Sequence, residues 1–368
     1  RSVSKSAVQM RFAVYGSGGV GGYFGACLWR AGHEVLFIAR PGNHLNAMKE
    51  KGLTITGTKG KITVPAEQLN ATDDPASVGK VDVVLVGVKA FQAREIAPHV
   101  KGMLKPDTVV VPLCNGIEAQ IVLASFLGWD VVTGGLCKIF AYITEPGVIT
   151  CESLSITPII EFGPMTKMGH YADLFAVTPT DKGNGTVTNG ANCVADGDAG
   201  NKLLSGRLQE VADVMNACEG MEAIIPEDIE MAMWRKFLGM GAFGPSMACF
   251  RAPLPAAASI PECVKVIKAA LNEIVAVAKA YGVQLGESEA ETMAERAKTF
   301  PKNSTPSTLR DVVDGRPSEL EELSGAVIRL GGKVGVPTPT HQILRAILLP
   351  QELKARGKIE YTLPQTTR

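Results

Sequence analysis

The chain has 368 residues, 46% hydrophobic and 20% charged, with 37 Lys+Arg balanced by 37 Asp+Glu. This is ordinary globular composition, long enough for two domains at about 150 residues each. Balanced charge offers no field for nucleic acid or an anionic membrane surface. No apolar run reaches the ~20 residues of a membrane span; the longest, Phe237–Phe250, contains three glycines and a proline and reads as a buried helix.

Residues 1–9 (Arg-Ser-Val-Ser-Lys-Ser-Ala-Val-Gln) are basic, Ser-rich and free of acids. They read as an N-terminal tail, either the remainder of a cleaved organellar transit peptide or a short disordered segment. Met10–Tyr15 is then a buried strand, followed by Gly16-Ser17-Gly18-Gly19-Val20-Gly21 and a helical pattern over Gly22–Ala31. Strand, G-x-G-x-x-G, helix is a dinucleotide-binding arrangement. The first glycine permits a tight turn, the second lets the backbone approach a pyrophosphate, and the third lets helix and strand pack closely. The helix N-terminus offers unpaired N–H groups to the phosphates.

The next strand, Glu34–Ala39, ends at Arg40, about 20 positions after the glycines, where such folds read the adenosine ribose. A cation there favours the 2′-phosphate of NADP(H) over the bare hydroxyl of NAD(H). Further apolar strands at Val81–Gly87 and Thr108–Leu113 alternate with helical patterns at Ala90–Gly102 and Ile117–Phe126. Near-continuous apolar strands of this kind predict a parallel sheet covered on both faces. Val131–Thr150 and Leu154–Phe162 read as further strands, in part antiparallel. Residues 163–201 are polar, Gly/Asn-rich and without helical period, and read as a surface insertion. A helix follows from Lys202 to Cys218. Beyond residue 226 the pattern is wholly helical: 227–248, 260–281, 286–298, 317–332 and 338–348, with a polar tail over the last eighteen residues.

The eight cysteines (27, 114, 137, 151, 193, 218, 249 and 263) form no C-x-x-C. They read as small buried hydrophobes in a reducing compartment. With the N-terminal composition, the expected location is an organelle, chloroplast or mitochondrion, with the cytoplasm as the alternative. The histidines (33, 44, 99, 170 and 341) show no metal spacing and read as surface or loop residues; no metal site is expected.

Several residues are candidates for chemistry. Lys89 and Asn115 follow the third and fourth strands, where side chains point into the ligand crevice of an open α/β sheet; each can also be a loop residue or helix cap. Lys236, in Trp234-Arg235-Lys236-Phe237-Leu238, enters a strongly apolar helix. Burying it unpaired is costly, so it either snorkels or serves as a proton donor or acceptor. Ser307 and Glu319 flank a later helix start, where an acid is favourable on helix-dipole grounds alone.

Taken together, these landmarks resemble the ketopantoate reductase (2-dehydropantoate 2-reductase) family. The match runs from Met10 to about Pro350 and rests on the Gly-rich turn, Val88-Lys89-Ala90, Asn115-Gly116, Trp234-x-Lys236, and Ser307-x11-Glu319 leading into Arg329-Leu330-Gly331-x4-Gly335-Val336-Pro337-Thr338-Pro339. The resemblance implies an α/β protein: an NADPH-binding Rossmann domain, then an all-helical domain of the 6-phosphogluconate dehydrogenase C-terminal type, with the active site in the cleft between them. The corresponding boundaries are a tail at 1–9, a Rossmann domain at 10–224 with its insertion near 163–201, a helical catalytic domain at 225–350 and a tail at 351–368. It implies NADPH-dependent reduction of ketopantoate to pantoate, a step of pantothenate biosynthesis. Lys236 would be the general acid, and Glu319 would assist binding and catalysis. Ser307 would hold substrate, while Lys89, Asn115 and Glu319 would line the cofactor and substrate site beside Gly16, Ser17, Gly18, Gly19, Val20, Gly21 and Arg40.

The chain departs from the family pattern at one place. The family carries asparagines four and eight residues after the lysine, on the lysine's own helix face. Here those positions hold Met240 and Gly244. They are expected to line a less polar wall, and the loss of two polar contacts weakens discrimination for ketopantoate. Two alternatives therefore stand beside the ketopantoate reading: a paralogous NADPH-dependent reductase of another 2-oxo acid, and a catalytically weakened member serving as an NADPH-binding structural subunit. The expected partners are a small 2-oxo acid and a second copy or a larger assembly, with no nucleic acid and no membrane span.

Overall fold

The computed structural model of the chain describes residues 9–58, 60–153, 157–166 and 199–362. Almost all of the expected N-terminal tail and most of the expected 163–201 insertion lie outside them. The chain divides into two compact units, one made of Arg1–Cys114 and Ala119–Ala232, the other of Asn115–Glu118 and Met233–Arg368.

The first unit is built on a five-stranded parallel sheet. Its strands, in chain order, are β1 (Arg11–Tyr15), β2 (Glu34–Ile38), β5 (Asn70–Thr72), β6 (Val81–Val86) and β7 (Leu104–Pro112), arranged in space β5-β2-β1-β6-β7. The order reverses between β1 and β6, which is where a doubly wound sheet opens a crevice for a dinucleotide. Alternation along β1 shows why both faces are buried. Phe12 and Val14 belong to the core beneath α1 (Gly19–Arg30), while Ala13 and Tyr15 belong to the opposite core with α3 (Ala93–Gly102) and α4 (Ala119–Leu127). A polar residue inside β6, Asp82, is tolerated because it accepts from the Arg11 backbone N–H and pairs with Lys105 and Arg207.

The segment between β2 and β6 carries more structure than its residues announce. It holds α2 (Asn43–Lys51), the antiparallel pair β3 (Leu53–Gly57) and β4 (Ile62–Val64), and β5. Strand β5 reads Asn-Ala-Thr and has no hydrophobic alternation, because it is a short polar edge strand. Likewise the expected strand at 131–150 is three strands: β8 (Gly134–Lys138), β9 (Ala141–Glu145) and β10 (Val148–Cys151). A Pro146-Gly147 turn, with Gly147 at φ +79°, makes β9 and β10 an antiparallel hairpin. Strands β9 and β10 extend β3 and β4 into a second sheet. Strand β11 (Ile159–Gly163) joins β8 and β12 (Glu222–Ile224) in a third. Helix α5 (Ala199–Asn216) packs Leu208, Val211 and Met215 into the α1-side core.

Among the described residues of the second unit every element is helical: α6 (Ile229–Phe250, whose first four residues count with the first unit), α7 (Leu254–Ala258), α8 (Pro261–Ala280), α9 (Glu287–Arg296), α10 (Ser307–Val313), α11 (Ala326–Lys333) and α12 (Pro339–Ala355). Helix α8 buries Ile267, Leu271, Ile274 and Ala278 at helical spacing. Its Glu273 carboxylate accepts from the Thr340 and His341 N–H groups, at 2.7 and 3.0 Å, and so caps α12 from outside.

Two expected elements differ. The helix placed at 317–332 is instead α11 preceded by one wide π turn at Glu321–Gly325, closed by the bond from Gly325 N–H to Leu320 carbonyl at 3.1 Å. The polar tail expected from 351 does not start there: α12 continues to Ala355, because Glu352 is buried and bonded rather than solvated. The histidines differ as well. His33 and His341 are buried and His44 is half-buried, each with hydrogen-bond partners.

Candidate active site

The expected site residues fall into two groups, each assembled inside one unit. In the first unit, Gly16 adopts φ +96°, open to glycine but strained for any side chain, and its N–H donates to the Ile38 carbonyl at 2.8 Å. Ser17 adds its own N–H and Oγ to the same carbonyl, at 3.2 and 3.1 Å. The glycine turn is thereby pinned to the end of β2, two residues before Arg40, which is exposed. Gly18 caps α1, and a Cβ placed there would meet nothing within 4 Å, so this side of the turn is open for a ligand to approach. Gly19 lies against the Ala141 carbonyl of β9, Val20 packs against the core, and a Cβ at Gly21 would strike the Gly16 carbonyl. The open turn, the helix N-terminus and the fixed strand end fit a dinucleotide diphosphate.

His44 rivets this turn and was not legible as a site residue. Its Nδ1 accepts from the Gly147 N–H at 3.1 Å, so in the neutral ring Nε2 carries the proton and donates to the Ser17 carbonyl at 3.0 Å. Burial lowers its pKa and keeps the ring in that neutral form. Lys89 lies three residues beyond β6, half-buried, and its N–H donates to Gln92 Oε1 at 3.3 Å as a short helical turn begins.

In the second unit, three residues far apart in sequence form one hydrogen-bonded line. Lys236 Nζ donates to Asn115 Oδ1 at 3.3 Å, and Asn115 Nδ2 donates to Glu319 Oε2 at 2.9 Å. The two bonds fix the amide's orientation, since the ammonium needs an acceptor and the carboxylate a donor. Glu319 is buried, at 3% exposure. The Asn115–Glu118 turn is held at its other end by Glu118, which takes Arg329 Nη2 at 2.6 Å and Nε at 3.4 Å. Arg329 also bonds Glu321, and these carboxylates raise its pKa further, against the opposing effect of its own burial.

Glu322 has no counterpart in the sequence reading. It sits in the π turn, its carbonyl close beneath Gly116, and its Oε2 is buried without a hydrogen-bond partner among the described residues. Burial, with Glu319 adding repulsion, pushes its carboxyl up to about 7.

Met240, one turn after Lys236 on α6, is half-buried. Gly244, expected to line a less polar wall of the site, is packed over: a Cβ there would lie 2.9 Å from Thr308 Oγ1 and 3.1 Å from Leu323 Cδ1. Thr308 of α10 thus packs against α6 at this glycine, and a side chain at 244 would have to displace Thr308 and Leu323. Ser307 opens α10 beside this contact and is half-buried. Among the described residues, no helix is long and apolar enough to cross a membrane.

Comparison with known proteins gives a consistent result. The family pattern described as "Ketopantoate reductase PanE/ApbA" matches residues 12–166, and "Ketopantoate reductase PanE/ApbA C terminal" matches residues 228–352. The chain is 27% identical over 337 residues to a 2-dehydropantoate 2-reductase of Halobacterium salinarum, covering 91% of this chain and 96% of that one. It is 25% identical over 339 residues to YkpB, an uncharacterized oxidoreductase of Bacillus subtilis, covering 92% and 98%. Among solved structures, a PanE/ApbA family ketopantoate reductase from Ralstonia eutropha is 26% identical, with a TM-score of 0.74 over 94% of this chain and 100% of that one. D-mandelate dehydrogenase, solved with NADH and anilino(oxo)acetate, is 21% identical with a TM-score of 0.76 over 94% and 99%, a likeness of fold.

Proposed function

This chain belongs to the ketopantoate reductase family of oxidoreductases, and from that premise we propose that it reduces ketopantoate to pantoate with NADPH, Lys236 supplying the proton. The observation that carries this reading is the Lys236–Asn115–Glu319 line. When bound, the reduced nicotinamide supplies a hydride to the 2-oxo carbon. The residues from Gly16 to Gly21 hold the diphosphate, and Arg40 holds the 2′-phosphate as a charge-assisted contact. As negative charge develops on the ketone oxygen, the Lys236 ammonium stabilises it and gives it a proton. An ammonium has three donors; one is committed to Asn115, which aims the others. Glu319 acts through Asn115, and Ser307 and Lys89 offer donors to the substrate carboxylate or the cofactor.

A second reading has its own support. Met240 stands on the Lys236 face of α6 where the family carries an amide, which favours a more apolar 2-oxo acid. NADPH oxidation by the purified protein, against a panel of 2-oxo acids including ketopantoate, separates these. Preference for ketopantoate supports the first reading, and preference for an apolar oxo acid supports the second. Cofactor binding without turnover of any oxo acid overturns both and leaves a structural subunit.

A further inference from the structure

Glu319 can serve Asn115 only if its own backbone is held, and the structure shows what holds it. Ser318, immediately before it, is fully buried, and all of its polar groups are engaged by the far end of α12. The Ser318 N–H and Oγ–H both donate to Glu352 Oε2, at 3.0 and 2.5 Å. Arg356 Nε donates to Glu352 Oε1 at 2.6 Å, and Arg356 Nη2 donates to the Ser318 carbonyl at 3.0 Å. On the other side of Glu319, the Leu320 N–H donates to Ser318 Oγ at 3.3 Å. The peptide groups flanking Glu319 are therefore locked from both sides, and the lock is an ion pair between the buried Glu352 and the half-buried Arg356.

We infer that Glu352 and Arg356 are positioning residues for the reaction: the α12 ion pair clamps Ser318 and so aims the Glu319 carboxylate at Asn115. This rests on the reading in which the Lys236–Asn115–Glu319 line carries the reduction. The pair sits in a stretch whose polar composition reads as a tail, yet Glu352 is 2% exposed. Placing a charged pair there is costly unless its remaining hydrogen-bonding sites are met, and Ser318 meets them. A misplacement of about 1 Å relayed to a proton donor costs on the order of 10²-fold in rate.

The test uses the full chain and the variants Glu352→Gln, Arg356→Lys, Ser318→Ala and Glu319→Gln, each checked for folding by its thermal midpoint. Glu352→Gln is expected to lower kcat about 10- to 10²-fold while leaving the NADPH dissociation constant unchanged. Because the clamp acts through Glu319, the Glu319→Gln/Glu352→Gln double variant is expected to be no slower than Glu319→Gln alone. A second readout needs no turnover. The side-chain amide 1H–15N signals of Asn115, assigned by their loss in Asn115→Asp, are expected to move in Glu352→Gln as they do in Glu319→Gln. Should Glu352→Gln fail to fold, Arg356→Lys and Ser318→Ala carry the same comparison with the carboxylate in place. Unchanged Asn115 signals in a folded clamp variant overturn the inference, as does a double variant that simply multiplies two losses. If Glu319→Gln leaves turnover untouched, the proposed mechanism fails instead, and the Asn115 signals still decide whether the clamp sets Glu319.

Discussion

Lys236 is held on α6 by a neutral amide rather than directly by a carboxylate. Asn115 accepts from the ammonium and passes its own donors to Glu319, so the amine is oriented without a carboxylate competing for its proton. Lys236→Ala should therefore lower turnover by about 10²-fold or more, the scale of general acid catalysis, with NADPH affinity retained. Near-wild-type turnover in that variant removes the lysine from the mechanism. Glu322 gives a second test at this scale. Its folded pKa, about 7, lies above the ordinary carboxyl value of 4.5. Between those pH values the folded chain keeps a proton that the unfolded chain has released. Stability is thus highest below pH 4.5 as far as this group is concerned, and is lost as pH rises towards 7. Glu322→Gln, which is neutral throughout, should flatten that part of the stability–pH curve and be the more stable form at pH 8, by on the order of 3 kcal/mol. Urea denaturation at pH 5 and pH 8 measures it; equal pH dependence in both forms refutes it. Lys236, Asn115 and Glu319 were legible through a family resemblance, whereas Glu322 and His44 were not. A lone Glu or His in a polar stretch carries no period or spacing, and its importance arises only from burial and partners brought in by the fold.

At the scale of elements, the glycine-rich start of α1 shows two different uses of a missing side chain. Gly18 faces open space, so Gly18→Ala should leave stability within about 0.5 kcal/mol, the usual range for a surface change, while obstructing a diphosphate and weakening NADPH binding. Gly21 faces the Gly16 carbonyl and lies 2.9 Å, measured from a Cβ, from Val14 Cγ1. Gly21→Ala should push α1 from β1, costing about 1–3 kcal/mol by overpacking and losing NADPH as well. Calorimetry and NADPH titration on the pair check both halves; NADPH bound equally well by Gly18→Ala and the parent would place the diphosphate elsewhere. Strand, turn and helix were readable here because three signals coincide: an apolar run, the glycines and a helical period. The region from 43 to 72 was not, since α2 is polar, β4 and β5 are three residues each and too short to show a period, and β5 pairs with β2 more than thirty residues earlier. The wide turn at Glu321–Gly325 was hidden for a similar reason, because one extra residue in a helix does not alter its composition.

For the whole molecule, a linear reading places one boundary near 224, but the chain divides at 232 and also surrenders Asn115–Glu118 to the helical unit. Pairs 204 and 211 residues apart, Asn115–Glu319 and Glu118–Arg329, decide that membership, and no window of sequence contains them. The division makes cofactor binding testable by unit. The glycine turn and Arg40 belong to the first unit, so NADPH should stabilise that unit by about 2.7 kcal/mol at 100 times its dissociation constant, raising its midpoint by roughly 5–11 °C. The three tryptophans allow the units to be followed separately: Trp29 and Trp129 lie in the first and Trp234, buried against Phe237 and Tyr281, in the second. Fluorescence from Trp234→Phe reports the first unit, and fluorescence from Trp29→Phe/Trp129→Phe reports the second. NADPH is expected to raise the first unit's midpoint more than NADH does at equal concentration, because only NADPH offers Arg40 a phosphate. Arg40→Asp should erase that difference, since a carboxylate repels the 2′-phosphate and accepts from a ribose hydroxyl. Equal shifts by the two cofactors in the parent protein would remove Arg40 from cofactor selection, and no shift by either would remove the glycine turn from cofactor binding.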